Sequence, residues 1–283
     1  MKKSASSNHV LLFSCPDEKG LIHRITGILL QHGLNITENH EFVDRNAGSF
    51  FMRTELTGAF PTDSLLTELK KQLPTRSKIE LHPQTPKRLV LLATKEPHCL
   101  GDLLLRHSAD ELNCEIVAVI SQYNSLKTLT SRFDIPFHHV PVSGDDRQEH
   151  ERAMLQVIQG YKPDYLVLAK YMRILTPGFV QQFENRIINI HHSFLPAFIG
   201  ANPYAQAYER GVKIIGATSH FVNQDLDEGP IITQSVISID HTQDAGALAR
   251  AGRDVERMVL ARALNLVLEN RVIVQGRRTL VFE

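Results

Sequence analysis

The sequence predicts an α/β protein of two domains: a ferredoxin-like βαββαβ domain, then a Rossmann-like domain with a mostly parallel sheet. The length, 283 residues, exceeds what one hydrophobic core usually serves. Apolar runs up to residue 82 follow the order strand, helix, strand, strand, helix, strand, whereas strands and helices alternate singly from Arg88 onward. Between them, residues 83–87 carry two prolines and no apolar anchor. We therefore expect domains at residues 1–85 and 86–283.

Hydrophobic periodicity predicts each element of the first domain. Apolar residues from Leu21 to His32 recur at three- and four-residue steps before Gly33, which is typical of a helix with a glycine after its last turn. Two β-rich runs flank the turn at residues 45–48, as in a hairpin. We predict helices at residues 21–32 and 63–73 and strands at 8–14, 34–44, 49–57 and 78–82.

The second domain repeats the strand–helix unit that builds parallel sheets. We predict strands at residues 88–94, 115–121, 137–142 and 164–169, a strand ending at Asn189, and strands at 213–222 and 231–237. The predicted helices are 98–111, 127–133, 147–160, 177–184, one after Pro203, and 245–269. Open α/β sheets bind ligands at the carboxyl ends of their strands, and Asn189 and His191 fall at such an end.

Composition narrows the class of ligand. Lysines plus arginines (31) balance aspartates plus glutamates (31), so the chain lacks the positive field of a nucleic-acid or anionic-membrane binder. Three scattered cysteines suggest neither a disulfide framework nor a thiolate zinc site, and they fit a reducing compartment. No apolar run is long enough for a signal-peptide core or a membrane span. We expect a cytoplasmic protein with a small-molecule ligand.

Three polar residues provide the functional groups that attack on a carbonyl carbon requires. The amide of Asn189 can donate a hydrogen bond to a developing oxyanion, the imidazole of His191 can donate or move a proton, and the carboxylate of Asp227 can orient the imidazole or a water. The turn at residues 94–102 contains a single glycine, with no GxGxxG motif or P-loop. Neither a dinucleotide nor a nucleoside triphosphate is therefore expected.

Other interpretations of these residues stay open. The same residues could form an ordinary strand exit and turn. His191, His192 and Asp227 could also hold zinc, but adjacent histidines on an extended strand point to opposite faces, so we predict no metal. His220, inside an apolar strand, is expected to be a supporting or core histidine.

The first domain resembles a known family. Asp17-Glu18-Lys19-Gly20-Leu21-Ile22, followed by Gly33-Leu34-Asn35-Ile36, is similar to the opening of an ACT domain. Such domains usually pair their sheets and bind small regulatory ligands, often amino acids. The resemblance implies a homo-oligomer with an amino-acid effector near Asp17, Gly20 and Asn35, although capping and turn formation would use the same residue types.

The second domain resembles the formyltransferase superfamily that uses 10-formyltetrahydrofolate. Its signature is matched by residues 189–196 (Asn-Ile-His-His-Ser-Phe-Leu-Pro), 216–222 and 225–230, and residues 170–175 are similar to the segment that cradles the pterin ring. The resemblance implies that Asn189, His191 and Asp227 are catalytic and that the folate is a substrate, with no separate cofactor. The implied folate-binding residues are Met172, Arg173, Leu175, Gln224, Asp225 and Leu226.

The turn after the first strand bears on the formyl acceptor. Superfamily members that formylate glycinamide ribonucleotide have a glycine-rich, phosphate-binding turn there, but here it is Lys95-Glu96-Pro97-His98-Cys99, in which Pro97 lacks a donor and Glu96 would repel a phosphate. Members that formylate methionyl-tRNA carry a further β-rich domain, and this chain ends soon after the predicted last helix. With the ACT-like domain in front, the chain resembles the deformylase branch, in which water replaces the amine.

The expected reaction is therefore hydrolysis of 10-formyltetrahydrofolate to formate and tetrahydrofolate, which would supply formate for purine synthesis and balance one-carbon pools. Two alternatives remain. One is a formyltransferase acting on a small amine such as glycinamide ribonucleotide. The other is a catalytically inactive amino-acid-sensing protein.

Overall fold

A computed structural model describes residues 7–142, 147–196 and 203–283. Its contacts divide the chain into two compact units. The N-terminal unit comprises Met1–Thr85 together with Glu269–Ile273 and Phe282–Glu283, and the large unit comprises Pro86–Leu268 and Val274–Val281. The final residues thus group partly with the first unit, whereas the sequence placed everything after residue 85 in the second domain.

The N-terminal unit has the βαββαβ order that the sequence predicts. Its elements are β1 (Ser7–Pro16), α1 (Leu21–Gln31), β2 (Asn35–Asp44), β3 (Ser49–Gly58), α2 (Thr62–Gln72) and β4 (Lys78–Pro83). The strands form an antiparallel sheet in the order β2-β3-β1-β4. Helix α1 ends as expected, with Gly33 in the left-handed region at φ 70°. Apolar side chains of both helices and the sheet form one buried core.

Arg53 explains why the chain returns to this unit. The arginine lies on β3 and is fully buried. Its guanidinium donates hydrogen bonds to the backbone carbonyls of Glu269 and Asn270 at 3.0 and 3.2 Å and pairs with the carboxylates of Glu38 and Glu55. A buried guanidinium needs such partners, because leaving its donors unpaired costs free energy. Nothing in the local periodicity marks this arginine as buried, so the sequence pattern does not indicate the return.

The large unit is built around a seven-stranded sheet. Its strands are β5 (Lys87–Ala93), β6 (Cys114–Ser121), β7 (Phe137–His139), β8 (Tyr165–Ala169), β9 (Ile187–His191), β10 (Ile214–Phe221) and β11 (Ile231–Ser238). The helices are α3 (His98–Ser108), α4 (Lys127–Ser131), α5 (Arg147–Tyr161), α6 (Pro177–Gln181), α7 (Pro203–Arg210) and α8 (Ala245–Leu268). The sheet order is β11-β10-β9-β8-β5-β6-β7.

The sheet is mostly parallel, as predicted. Strands β7, β6, β5, β8 and β9 run parallel, whereas β10 and β11 are antiparallel additions beyond β9. β5 and β8 are buried along nearly their whole length, which accounts for their continuous apolar sequences. Because β5 lies between β6 and β8, the strand order reverses there, and such a reversal opens a crevice at the carboxyl ends of the strands.

Several boundaries differ from the predicted ones. β9 extends to His191, two residues past its predicted end, because it pairs with β10 up to Thr218. α3 ends at Ser108 rather than at residue 111, and Asp110 follows it in the left-handed region. β12 (Val272–Gln275) and β13 (Arg278–Val281) pair in a two-stranded sheet that the sequence analysis did not predict. None of the helices described here is long and apolar enough to cross a membrane.

Candidate active site

Strands β9 and β10 position the amide and the imidazole. Asn189 and His191 are two residues apart on β9, so both side chains lie on the same face of the sheet. Asn189 pairs with Leu168 on one side and with His220 on the other, and His191 pairs with Thr218. Two neighbouring strands therefore fix both backbones at the carboxyl end of the parallel part of the sheet.

Asp227 reaches the same place on the loop that follows β10. Its backbone is left-handed, with φ 57°, a conformation that aspartate tolerates better than most residues. The loop turns back so closely that a Cβ atom on Gly229 would lie 1.7 Å from the carbonyl oxygen of Phe221. Glycine at this position lets the chain fold against the end of β10, and this fold directs Asp227 towards β9.

His191 and Asp227 form a charge-assisted pair. The distance from His191 Nδ1 to Asp227 Oδ2 is 3.3 Å. Burial alone would raise the pKa of Asp227, but the hydrogen bond from His191 and the nearby imidazoles lower it, so the carboxylate is ionised. Nε2 of His191 is buried and has no hydrogen-bond partner in the described part of the chain. This nitrogen is free to act on a bound substrate or water.

Asn189 is oriented by His220. Nδ1 of His220 lies 2.8 Å from the carbonyl oxygen of Phe221, which can only accept, so Nδ1 carries a proton. Burial lowers the pKa of His220, so the ring is neutral and its Nε2 accepts a hydrogen bond from Asn189 Nδ2 at 3.2 Å. The amide thus keeps one N–H for a ligand. His220 supports a site residue, within the role that the sequence analysis expected.

A cavity of about 330 Å³ opens from these residues. Its volume falls within the range of ordinary small-molecule sites. Met172, Ile174 and Leu226 line it and are more than half exposed, an unusual degree of exposure for large apolar side chains that suits a flat aromatic ligand. Arg173 also lines it and donates to Gln122 Oε1 at 2.9 Å. The structure brings the trio together with all six predicted pocket residues: Met172, Arg173, Leu175, Gln224, Asp225 and Leu226.

The expected separation of His191 and His192 was wrong. Their rings stack with centroids 5.1 Å apart, because β9 ends at His191 and strand alternation no longer applies to the next residue. Burial, the charge of Lys170 and the neighbouring His191 ring lower the pKa of His192 to about 4, so the His192 ring is neutral at neutral pH. Asp227 contacts His191 and lies 3.7 Å from His220. This arrangement suits proton transfer at His191.

A second set of buried polar residues lies nearby, and the sequence analysis did not predict it. We call Lys170, His98, Tyr204 and Glu256 the Glu256 cluster. Oε2 of Glu256 accepts from His98 Nε2 at 2.8 Å and lies 3.0 Å from Lys170 Nζ, and Oε1 accepts from the Tyr204 hydroxyl at 2.7 Å. These residues come from four elements or their ends, so no sequence spacing could reveal the cluster.

His98, Cys99 and Glu256 also have the residue types of a metal site. The ammonium group of Lys170 already occupies the cation position beside Glu256. Burial raises the pKa of the Cys99 thiol well above its ordinary range, so the thiol is protonated. These contacts favour an ion pair over a bound metal.

The three predicted effector positions lie around α1. Asp17 and Gly20 are in the loop before the helix, where the Asp17 amide donates to Gly48 and Gly20 has φ 85°. Asn35 begins β2 opposite Thr57. All three are exposed, and their role in ligand binding stays a prediction.

Comparisons with known proteins identify the family. Residues 87–264 match the family model of formyl transferases, and residues 9–74 match that of ACT domains. A protein from Escherichia coli strain K12, named formyltetrahydrofolate deformylase, is 59% identical over 272 residues, which cover 96% of this chain and 97% of that protein. The chain belongs to the formyltetrahydrofolate deformylase family.

Solved structures agree with this deformylase family. A formyltetrahydrofolate deformylase from Pseudomonas syringae is 40% identical and superposes with a TM-score of 0.94 over 100% of this chain and 96% of that one. Glycinamide ribonucleotide transformylase 1 from Symbiobacterium toebii is 30% identical, with a TM-score of 0.66 over 70% of this chain and 95% of that one. The deformylase fold thus spans the whole chain, whereas the transformylase likeness covers part of it.

Proposed function

We propose that this chain hydrolyses 10-formyltetrahydrofolate to formate and tetrahydrofolate. The observation that carries the proposal is the meeting of Asn189, His191 and Asp227 at the wall of a cavity whose exposed apolar side chains suit a pterin ring. The named activity of the relatives from Escherichia coli and Pseudomonas syringae supports the same reaction. Formate released in this way would supply purine synthesis and balance one-carbon pools.

His191 acts as the base in the proposed mechanism. Its Nδ1–H is held by Asp227, so Nε2 carries the lone pair of the neutral ring and can take a proton from water as the oxygen attacks the formyl carbon. The Asp227 carboxylate then stabilises the imidazolium ion. His191 therefore receives the proton first, and Asp227 acts through it.

Asn189 stabilises the tetrahedral intermediate. One N–H of its amide is held by His220, and the other donates to the oxyanion that forms on the formyl oxygen. The imidazolium of His191 returns its proton to N10, the C–N10 bond breaks, and tetrahydrofolate leaves together with formic acid, which loses a proton to water and becomes formate. Every step of this proposed mechanism uses protein side chains alone, so we propose that no cofactor or metal takes part.

One assay separates this proposal from its alternatives. Purified protein receives 10-formyltetrahydrofolate without an acceptor, and formate and tetrahydrofolate are measured. Formate release supports hydrolysis. If tetrahydrofolate forms only after an amine such as glycinamide ribonucleotide is added, the protein is a transferase. The likeness to the Symbiobacterium toebii transformylase is the reason to test this alternative. If no product forms with or without the amine, the protein is a binding protein.

We also propose a division of labour, with regulation by residues 1–85 and catalysis by residues 86–283. The match of residues 9–74 to ACT domains supports an amino-acid effector near Asp17, Gly20 and Asn35, with methionine and glycine as the first candidates. A ligand present at 100 times its dissociation constant stabilises a protein by about 2.7 kcal/mol. Each amino acid is therefore tested for a change in melting temperature and turnover, and no change with either would contradict the proposal.

The same match supports a homo-oligomer, which light scattering tests as a mass that is a multiple of the chain mass.

The three cysteines are free and buried, which suits a reducing, cytoplasmic location. Fluorescence microscopy of tagged protein would test that location. A chelator that abolishes formate release would contradict the absence of a metal.

A further inference from the structure

The Glu256 cluster adjoins the active site through His192. The ring of Tyr204 lies 6.3 Å from the ring of His192, which in turn stacks on His191. Lys170 follows β8 directly and precedes Tyr171, which lines the cavity. The cluster therefore lies next to the catalytic histidine without lining the cavity itself.

The position of Tyr204 is fixed by close packing. A Cβ atom on Gly252 of α8 would lie 2.2 Å from the Tyr204 ring, so glycine is needed for the ring to lie this close to the helix. Gly252 precedes Glu256 by one helical turn, and Glu256 accepts the hydrogen bond of the Tyr204 hydroxyl. The ring is held between α8 and His192.

The cluster is also closed to outside ligands. Glu256 has no exposed surface, and both its oxygens are engaged by His98, Lys170 and Tyr204. Burial alone would raise the pKa of Glu256, but these partners lower it to about 2, so the carboxylate stays ionised. A buried ionised pair such as Glu256 and Lys170 resists opening, because separating the partners leaves buried charge uncompensated.

The cluster bears on which nucleophile reaches the formyl carbon. With the folate in the cavity, a nucleophile must approach Asn189 and His191 from a side that the folate leaves free. The cavity lining includes His192 but none of the four cluster residues, and the Tyr204 ring lies 6.3 Å from the His192 ring. The transformylase from Symbiobacterium toebii, whose name indicates an amine acceptor, has a similar fold over 70% of this chain. The overall fold alone therefore does not decide between water and an amine.

We propose that the Glu256 cluster determines acceptor specificity, because it fills the space beside His192 through which an amine would reach the formyl carbon and leaves room only for water. This inference rests on the proposed hydrolysis. In both reactions the C–N10 bond breaks and N10 receives a proton. Water forms a C–O bond and yields formate, whereas an amine forms a C–N bond, loses the proton that N10 gains, and yields a formamide.

The test measures both products in one mixture. Wild type, Tyr204→Ala and His98→Ala each receive 10-formyltetrahydrofolate and glycinamide, and formate and N-formylglycinamide are quantified by NMR against an enzyme-free blank. We expect wild type to yield formate alone. Tyr204→Ala should raise the yield of N-formylglycinamide to about tenfold or more above the enzyme-free blank, the scale on which a pocket discriminates by size. His98→Ala should raise it in the same direction.

Tyr161→Ala is the matched control. It also removes a tyrosine whose hydroxyl is hydrogen-bonded to a histidine, His138, at 2.7 Å, but Tyr161 does not line the cavity. Its product ratio should equal that of wild type. Circular dichroism checks that each variant is folded.

Three outcomes would overturn the inference. The first is an unchanged product ratio in folded Tyr204→Ala and His98→Ala proteins that still release tetrahydrofolate. The second is the same rise in Tyr161→Ala. The third is formation of N-formylglycinamide by wild type, which would show that the Glu256 cluster does not exclude an amine. This outcome needs no variant, so it tests the inference even if the variants do not fold. Failure of the proposed function is distinct, because wild type would then release no formate without an amine.

Discussion

At the residue scale, the site depends on what each polar atom is already bonded to. Asp227 holds one nitrogen of His191 and leaves the other free, and His220 holds one N–H of Asn189 in the same way. Each proposed catalytic group is thus oriented by one partner while its remaining polar atom stays available. Two substitutions test these assignments separately.

Asn189→Ala removes the proposed donor to the oxyanion. We expect kcat to fall by about 10²–10³, the usual effect of losing one such donor, while folate affinity changes little. Steady-state formate release and calorimetric titration with tetrahydrofolate measure the two effects. Asn113→Ala, at an exposed position, should behave as wild type. A loss of affinity as large as the loss of kcat would contradict the oxyanion role.

Asp227→Asn tests the orientation of His191. Asparagine has the same shape and tolerates the left-handed backbone, but it is neutral and cannot stabilise the imidazolium. We expect kcat to fall by about 10³–10⁴, as when the carboxylate of a catalytic triad is neutralised. Asp254→Asn, at a largely exposed carboxylate on α8, serves as the control for formate release. Near-normal turnover in Asp227→Asn would remove Asp227 from the mechanism.

The meeting of Asn189, His191 and Asp227 could be anticipated from the sequence, because the residues stand at a strand end and in a recognisable loop. His220 was expected only as a supporting or core residue, and its bond to Asn189 depends on cross-strand pairing between β9 and β10. Glu256 was not anticipated at all. On α8 it is one acidic residue among several, and its burial depends on His98, Lys170 and Tyr204 from distant parts of the chain.

At the element scale, the loop between β10 and β11 carries Asp227 and part of the cavity wall. Gly229→Ala would place a Cβ atom against the carbonyl of Phe221, a backbone atom that cannot move aside alone. We expect the loop to shift, kcat to fall by about 10² and KM to rise, since displacement by about 1 Å has such effects. Gly160→Ala in α5 meets no atom within 4 Å and should leave both constants unchanged. Normal kinetics in Gly229→Ala would show that the loop tolerates the shift.

The Glu256 cluster joins α3, α7 and α8 to the end of β8, so it should make stability depend on acidity. The pKa of Glu256 is about 2 in the fold against a model value of 4.5, and the carboxylate therefore stabilises the fold above pH 4.5 and loses this effect as the pH falls towards 2. The shift corresponds to about 3 kcal/mol. Urea unfolding of Glu256→Gln should show that deficit at pH 7 and a smaller one at pH 3.

Glu184→Gln, at an exposed carboxylate, is the control for this measurement and should unfold as wild type does at both pH values. A deficit for Glu256→Gln that stays constant between pH 7 and pH 3 would mean that the charge of Glu256 does not stabilise the fold.

Element order was predictable because the apolar periods of two and of three to four residues are local properties. The residues at which helices and strands end were less predictable, because they depend on contacts with other elements. The end of β9 is set by pairing with β10, and α3 stops where Asp110 takes a left-handed backbone. The hairpin of β12 and β13 carries a weak apolar signal, and Gly276, with φ 60°, makes its turn.

At the scale of the whole molecule, Arg53 ties the end of the chain into the N-terminal unit. Arg53→Met keeps much of the side-chain volume but leaves Glu38, Glu55 and two backbone carbonyls without their guanidinium. We expect the free energy of unfolding to fall by about 3 kcal/mol, as when one partner of a buried pair is removed. Chemical denaturation measures the change.

Arg24→Met is the control for this experiment. Arg24 is about one-third exposed and pairs with the exposed carboxylate of Glu18, so its loss should cost less than about 1 kcal/mol. Equal effects from the two arginines would mean that burial of Arg53 adds nothing to stability.

The bonds from Arg53 to Glu269 and Asn270 also set an order of events during protein synthesis. The ribosome makes β1 to β4 first, yet the carbonyls that Arg53 requires belong to residues made more than two hundred positions later. Until then the two donors that bond these carbonyls can bond only water. The packing of Arg53 is therefore completed only after residues 269 and 270 have been made, and a truncation before residue 270 leaves it incomplete.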